Sequence, residues 1–289
     1  MHYLILVSLL WAFSFGLIGS RLAGVDAFFV AAVRLSCATL VFLPWLRIHR
    51  VGGSDCLRLF SYGAIQFGLM YVCYMQAFQY IPSHLVALFS VMTPLYVVLI
   101  YELRQGRFSR RYLSAASLSV LGAATIKATT LDVADLWIGF GLMQLAGLAF
   151  AYGQVAYREW KRGHASIKDH EGFALLTLGG VFFAGIASLI LTDWQQLEVS
   201  VVQWQSILYL GVVASGIGFF CWNKGAALSQ PGTLAACNNA VVPIAVCCSL
   251  FVFGEIGDVP AESLIRLAIG TVLIASAVWV GQRKTSRSI

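Results

Sequence analysis

Charge is what this sequence has least of. Its 289 residues hold 19 Lys and Arg and 13 Asp and Glu, so 11% are charged. A soluble globular domain carries roughly 25%. Too few charges remain to cover a water-facing surface, which excludes a soluble protein of this length. Cysteine occurs seven times, at 37, 56, 73, 221, 237, 247 and 248, and never as CxxC. Six of the seven lie in apolar segments, so they read as small buried hydrophobes and not as a disulfide framework or a zinc site. No GxxxxGK[ST] is present, which excludes ATP hydrolysis through a P-loop. HExxH, GxSxG and paired carboxylates deep in apolar segments are missing too, so no enzyme chemistry, metal or cofactor is expected. Neither Lys nor Arg precedes the first apolar run at Met1-His2-Tyr3, and no small-residue cleavage site follows Trp11. The expectation is a retained first helix and not a signal peptide.

Long uncharged runs take the place of charge. Leu59–Tyr101 is 43 residues without Asp, Glu, Lys or Arg, and Gly225–Gly254 is another 30. A hydrocarbon core of ~30 Å needs about 20 apolar residues of helix. Cutting at charges, Gly and Pro predicts ten spans: Tyr3–Ser20, Ala27–Leu46, Leu59–Phe78, Leu85–Tyr101, Tyr112–Ile126, Leu136–Tyr157, Gly172–Leu191, Ile207–Ala227, Thr233–Phe253 and Leu264–Gly281. This is an all-α polytopic membrane protein. The net charge of +6 lies in short loops, so it does not point to nucleic acid. Arg47, Arg50, Arg58, Arg104, Arg107, Arg110, Arg111, Arg158, Lys161, Arg162, Lys168, Arg283, Lys284 and Arg287 share one side if both termini are cytoplasmic. The opposite loops carry mainly Arg21, Asp26, Asp132, Asp135, Asp193, Glu198, Asp258 and Glu262.

The chain also repeats. A shift of 149 residues lays Ala77–Pro94 on Ala226–Pro243 and matches Ala77 with Ala226, Pro82 with Pro231, Leu85 with Leu234, Ala87 with Ala236 and Pro94 with Pro243. Span four is followed by four Arg, whereas its counterpart, span nine, is followed by Glu255, Asp258 and Glu262. Opposite charge at equivalent loops is what an inverted copy produces. Two inverted five-helix repeats, 1–130 and 131–289, are expected to form one transport unit with its site near the membrane midplane. Pro94 and Pro243 kink their spans at matched points, as hinges would. Gly211, Ser215 and Gly218 read as close helix packing. Small residues in spans five and ten (Ala115, Ser119, Ala123, Gly270, Ala275) form a candidate homodimer face.

Four groups of residues are candidates for chemistry. Arg34 lies roughly 12 Å down the second span at 1.5 Å per residue, with no Asp or Glu at comparable depth. Its expected partners are backbone carbonyls, water or an anionic substrate. It is either a carboxylate counter-ion or a tie to a helix end or kinked backbone. Trp222-Asn223 and Asn238-Asn239 place amides in hydrocarbon, either to clamp a neutral polar head or to bond helix to helix. Gln66, Cys73, Gln76 and Tyr80 share an arc of about 80° at 100° per residue, and Gln144, Ala151 and Gln154 share another. Trp11, Ser14, Tyr71, Tyr74 and Tyr152 add aromatic and hydroxyl surface, the usual walls of a small-molecule site.

These residues carry a resemblance. Leu10-Trp11-Ala12-Phe13-Ser14, Arg34, the matched Pro94 and Pro243, and Glu255 twelve residues after Pro243 resemble the drug/metabolite transporter superfamily, in its EamA-type branch with ten helices in two inverted halves. Gly106 departs from the pattern at the first repeat's counterpart of Glu255. WAFSF (11–15), LAG (22–24), LVFLPWLR (40–47), TPLYVVLIY (93–101), ASGIGFFCWNKGA (214–226) and GTLAACNN (232–239) are similar to biotin-transporting members of that family. The resemblance implies a secondary transporter of the bacterial cytoplasmic membrane that imports biotin, with export of amino acids or other small amphipathic metabolites as the alternative. It further implies that Asn223, Asn238 and Asn239, with Gln66 or Gln76, meet the ureido group. Trp11, Tyr71, Tyr74, Tyr152 and Trp222 would pack the apolar body, and Arg34 or Lys224 would meet the carboxylate.

Overall fold

The computed structural model describes residues 2–104, 133–228, 244–254 and 261–282, together with positions 106, 114, 117, 118, 121, 125, 238, 241, 242 and 257. Every regular element among these residues is helical. Seven helices are long and apolar enough to cross a membrane. They are α1 (His2–Arg21), α2 (Ala27–Trp45), α3 (Gly53–Ala77), α4 (Ser83–Arg104), α5 (Val133–Gly163), α6 (Asp169–Leu191) and α7 (Val201–Leu228). An eighth, α8, spans Ala261–Gln282. The seven coincide with expected spans one to four and six to eight, and the tenth expected span falls in α8. Of the fifth, only isolated positions are described, and of the ninth only a part.

The bundle is apolar outside as well as in its core, with a few polar side chains buried within it. Leu189, Ile190 and Val201 are 72%, 73% and 73% exposed, while Arg34, Gln66, Gln154 and Asn223 are buried. Hydrocarbon outside the bundle makes that arrangement stable, because apolar surface there costs nothing and polar groups turn to one another.

Short polar devices fix the helix ends. The carboxylate of Asp26 accepts from Phe29 N at 2.7 Å and from the Thr192 hydroxyl at 2.7 Å, capping α2 and tying it to the end of α6. Ser200 and Gln203 form a reciprocal capping box at the start of α7. At the opposite end of the bundle, Arg50 pairs with Glu171 at 2.8 Å, and Asp55 meets His164 at 2.9 Å and Arg58 at 3.2 Å. These pairs explain why α3 begins six residues before the expected Leu59 and α5 continues six beyond the expected Tyr157. The charged turns are helical because partners on neighbouring helices receive them.

Glycine sets the helix spacing where α3 crosses α6. A Cβ at Gly63 would lie 1.8 Å from the Leu176 carbonyl oxygen, and one at Gly179 would lie 1.9 Å from that of Phe60. Backbones that close admit no side chain, which is how membrane helices gain packing without a hydrophobic drive. Gly211 plays the same part between α7 and α2, since its Cβ would sit 2.7 Å from that of Cys37 and 3.2 Å from the Arg34 Cα.

Two of the spanning helices are interrupted by π-helical turns, α3 at Ala64–Leu69 and α7 at Leu210–Ile217. A π turn inserts one extra residue and rotates everything beyond it. The expected arc of Gln66, Cys73, Gln76 and Tyr80 is broken for that reason, because Gln66 lies inside the turn and the other three follow it. α4 is broken as well. A 3-10 turn at Ser90–Met92 precedes the helix Thr93–Arg104, so Pro94 stands in that helix's first turn, where its missing N–H leaves nothing unpaired.

Candidate functional site

A cavity opens at the middle of the bundle, lined from both halves of the chain. Its walls are Trp11, Ser14 and Phe15 of α1, Arg34 of α2, and Met70, Tyr71 and Tyr74 of α3. Ser90 and Thr93 of α4, Met143, Ala146, Gly147 and Phe150 of α5, Phe219 of α7, and Asn238 and Val241 complete them. Trp11 is the tenth residue of the 20-residue α1, which puts the cavity near half depth. It encloses about 740 Å³, counting the part open to the exterior. The walls are aromatic and aliphatic, with a few hydroxyls and one amide. Among the described residues lining it, Arg34 alone is charged.

Arg34 is held by neutral groups. Its Nη2 donates to the Tyr71 hydroxyl at 2.9 Å, its Nε to the Ser215 hydroxyl at 3.3 Å and its Nη1 to the Met75 sulfur at 3.4 Å. The guanidinium carbon lies 4.8 Å from the centre of the Tyr71 ring, a cation–π distance. Tyr71 and Ser215 are 2.7 Å apart, and Ser215 donates to the Leu210 carbonyl at 2.9 Å. With Ser215's hydrogen on Leu210, Tyr71 donates to Ser215, and both hydroxyls are left accepting from Arg34. Leu210 is five residues before Ser215, so the π turn of α7 supplies the carbonyl that orients this chain. No carboxylate lies within ion-pair distance of Arg34 among the described residues. A guanidinium carries five N–H donors, and three are engaged. The arrangement positions a full positive charge without neutralising it.

The aromatic wall is continuous. Trp11 lies 5.8 Å from Phe150 and 5.1 Å from Phe219, and those two are 5.8 Å from each other. The Trp11 indole donates to the Ala214 carbonyl at 3.1 Å, which fixes its plane. Tyr74 packs edge-on against Phe15 at 5.6 Å and Phe78 at 5.2 Å. The Ser14 hydroxyl donates to the Leu10 carbonyl at 2.8 Å.

Of the residues singled out in the sequence, Trp11, Ser14, Arg34, Tyr71, Tyr74 and Asn238 line the cavity. Gln66 and Asn223 do not. They are buried and joined to each other, Gln66 Nε2 donating to Asn223 Oδ1 at 2.9 Å. Trp222 is fully buried behind Trp11, with ring centres 4.8 Å apart. Gln76 is half-buried and off the wall. Tyr152 faces Tyr62 at 6.3 Å and the Arg104 guanidinium at 5.6 Å, away from the cavity. Lys224 sits over the rings of Tyr3 at 5.2 Å and Phe220 at 5.9 Å, near the end of α1 that holds His2, so it does not compete with Arg34. Asn239 and Pro243 lie outside the described residues. Ser215 is the residue that sequence reasoning mistook for packing alone. The 149-residue shift lays it on Gln66, a coincidence that marks it, and the two stand in the π turns of α3 and α7. Met143, Gly147, Phe150 and Phe219 carry no polar signature by which sequence could find them. Among the described residues no group of three or more His, Cys, Asp or Glu is placed to hold a metal ion.

Comparison with known proteins decides the family. The model of the EamA-like transporter family matches residues 1–128 and again 136–279. The chain belongs to the EamA-like transporter family. It is a multi-pass membrane transporter. It is 38% identical over 284 residues to the probable biotin transporter of Pseudomonas aeruginosa, covering 98% of this chain and 97% of that one. To the biotin transporters of Salmonella typhimurium and Escherichia coli K12 it is 36% identical over 286 residues, covering 98% of this chain and 93% of each. A crystal structure only 18% identical shares the fold at a TM-score of 0.65 over 96% of this chain and 97% of its own.

Proposed function

We propose that this chain is a secondary active transporter that imports biotin across the bacterial inner membrane by alternating access. One observation carries the reading: a mid-depth cavity of aromatic and aliphatic walls in which the one charged group, Arg34, has no carboxylate partner among the described residues. Biotin is an amphipathic carboxylate. Its carboxylate would supply the charge that Arg34 lacks, and its thiophane and valeryl carbons would lie against Trp11, Phe150, Phe219 and Tyr74. The names of three relatives at 36–38% identity favour the same substrate.

The transport unit is read as ten helices in two inverted five-helix repeats, 1–130 and 131–289, with both termini cytoplasmic. The family model's two matches support this. So does the position of the two π turns, at Ala64–Leu69 and Leu210–Ile217, which are brought near each other in register by the 149-residue shift. The break before Pro94 is then one hinge of the alternating motion, with Pro243 as its counterpart.

The test is uptake of labelled biotin at trace concentration in a bacterium lacking biotin synthesis and its own biotin transporter. Saturable uptake that excess unlabelled biotin competes away is expected. Absence of uptake from protein shown to be in the membrane would move the cavity to another amphipathic anion, or to export.

A further inference from the structure

Three amides stand one helical turn beyond the cavity wall, all on the same side of it. In α3, Gln66 is four residues before the wall residue Met70. In α5, Gln154 is four after Phe150, and in α7, Asn223 is four after Phe219. In α5 and α7 residues four apart share a helix face; in α3, where the π turn breaks that register, Gln66 is placed by its bond to Asn223. All three steps run toward the end of the bundle that holds His2, because α3 begins there while α5 and α7 end there. That shared end is marked by the contacts of Asp55 with His164 and of Lys224 with Tyr3. The aromatic triangle of Trp11, Phe150 and Phe219 separates this layer from the cavity.

The layer is buried and unsatisfied. Gln66, Gln154 and Asn223 are 0%, 2% and 1% exposed. Gln66 and Asn223 bond each other, yet Gln66 Oε1, Asn223 Nδ2, both amide atoms of Gln154 and the indole Nε1 of Trp222 have no hydrogen-bond partner among the described residues. Exchanging O and N in both bonded amides reverses that bond and leaves the same inventory, one acceptor and one donor. The layer therefore offers two acceptor oxygens, from Gln66 and Gln154, and three donors, from Asn223, Gln154 and Trp222. Native proteins seldom leave so many buried polar atoms unpaired at one level of a bundle, because each forfeits its hydration without recompense. Gly153 keeps the layer open to Gln66, whose Cβ and Cγ would lie 2.1 and 2.4 Å from a Cβ at that position.

We propose that this amide layer is a second ligand subsite, specific for a planar urea or cyclic amide. A urea presents two N–H donors flanking one carbonyl. Two acceptor oxygens answer the N–H groups, and two of the three donors answer the carbonyl's lone pairs. The subsite is neutral, so it complements Arg34 and does not duplicate it. Arg34 holds the carboxylate end of an elongated ligand, and the layer reads the other end once the aromatic triangle parts. Gln154, which the sequence sets on one arc with Gln144 and Ala151, becomes a specificity residue. This inference rests on the biotin reading above.

The test is equilibrium binding to the purified full-length protein. Two probes are compared, labelled biotin and 5-(thiolan-2-yl)pentanoic acid, which keeps the carboxylate, chain and sulfur ring but lacks the urea. Wild-type protein should bind biotin at least tenfold tighter than the urea-free acid. Gln154→Leu and Asn223→Leu should each weaken biotin at least tenfold and leave the urea-free acid unchanged, which also shows that the variants are folded. Equal affinity of wild-type protein for the two probes would overturn the subsite while leaving saturable biotin binding, and so the transport reading, intact. A biotin preference that survives in both variants would overturn it equally. Failure of wild-type protein to bind either probe would remove both readings together.

Discussion

Tyr71 holds Arg34 twice, its hydroxyl accepting from Nη2 at 2.9 Å and its ring lying 4.8 Å beneath the guanidinium carbon. The two contacts separate by substitution. Tyr71→Phe keeps the ring and removes both the acceptor and the link to Ser215. A hydrogen bond to a charged group contributes about 1.5–3 kcal/mol. The KM for biotin uptake should therefore rise about tenfold or more at unchanged membrane level. Ser215→Ala should do the same, and the double variant should lose less than the sum of the two, because one chain of hydrogen bonds is broken in both. Wild-type KM in Tyr71→Phe would show that the hydroxyl does not orient Arg34 for substrate.

Lys224 supplies the contrast. Its ammonium lies over Tyr3 and Phe220, away from the cavity. Lys224→Gln should leave the KM for biotin within about twofold of wild type. A rise comparable to that of Arg34→Gln would put the carboxylate at the wrong cation.

Gly153 faces Gln66 so closely that a methyl group would overlap its side chain. Gly153→Ala should push Gln66 off Asn223 and reduce uptake at least tenfold. Gly141→Ala, on the same helix with nothing within 4 Å of the new Cβ, should behave as wild type. The pair checks helix propensity as well, since both changes gain it equally.

The α3–α6 crossing should fail by overpacking. Gly63→Ala and Gly179→Ala each place a methyl group within 2 Å of a facing carbonyl oxygen. Such insertions cost roughly 1–3 kcal/mol or more. Thermal unfolding in detergent should start several degrees lower in both, whereas Gly185→Ala, whose Cβ meets nothing, should not shift it.

Spans were legible because charge marks their ends and Asp26 announces a helix start three residues before the amide it caps. The cavity was legible where a polar or aromatic residue breaks an apolar run, as at Trp11, Arg34 and Tyr71. It was not legible at Gly147 or Phe150, where only a neighbouring helix distinguishes wall from core. The π turns left no compositional trace, so Gln66 was grouped with Gln76 on an arc that the extra residue of the turn breaks. Arg34's partners escaped for a related reason. Among protein groups only backbone carbonyls are expected, and the fold supplies two hydroxyls and a thioether, one of them on a helix 181 residues away.

The central claim is that Arg34 meets the carboxylate of biotin in the cavity. Its most direct test is the equilibrium affinity of purified protein for biotin and for its uncharged primary amide, in wild type and in Arg34→Gln. Wild-type protein should prefer biotin by at least tenfold, and Arg34→Gln should lose that preference while still binding the amide. An unchanged preference for biotin in folded Arg34→Gln would contradict it and leave Arg34 as a tie between α2, α3 and α7.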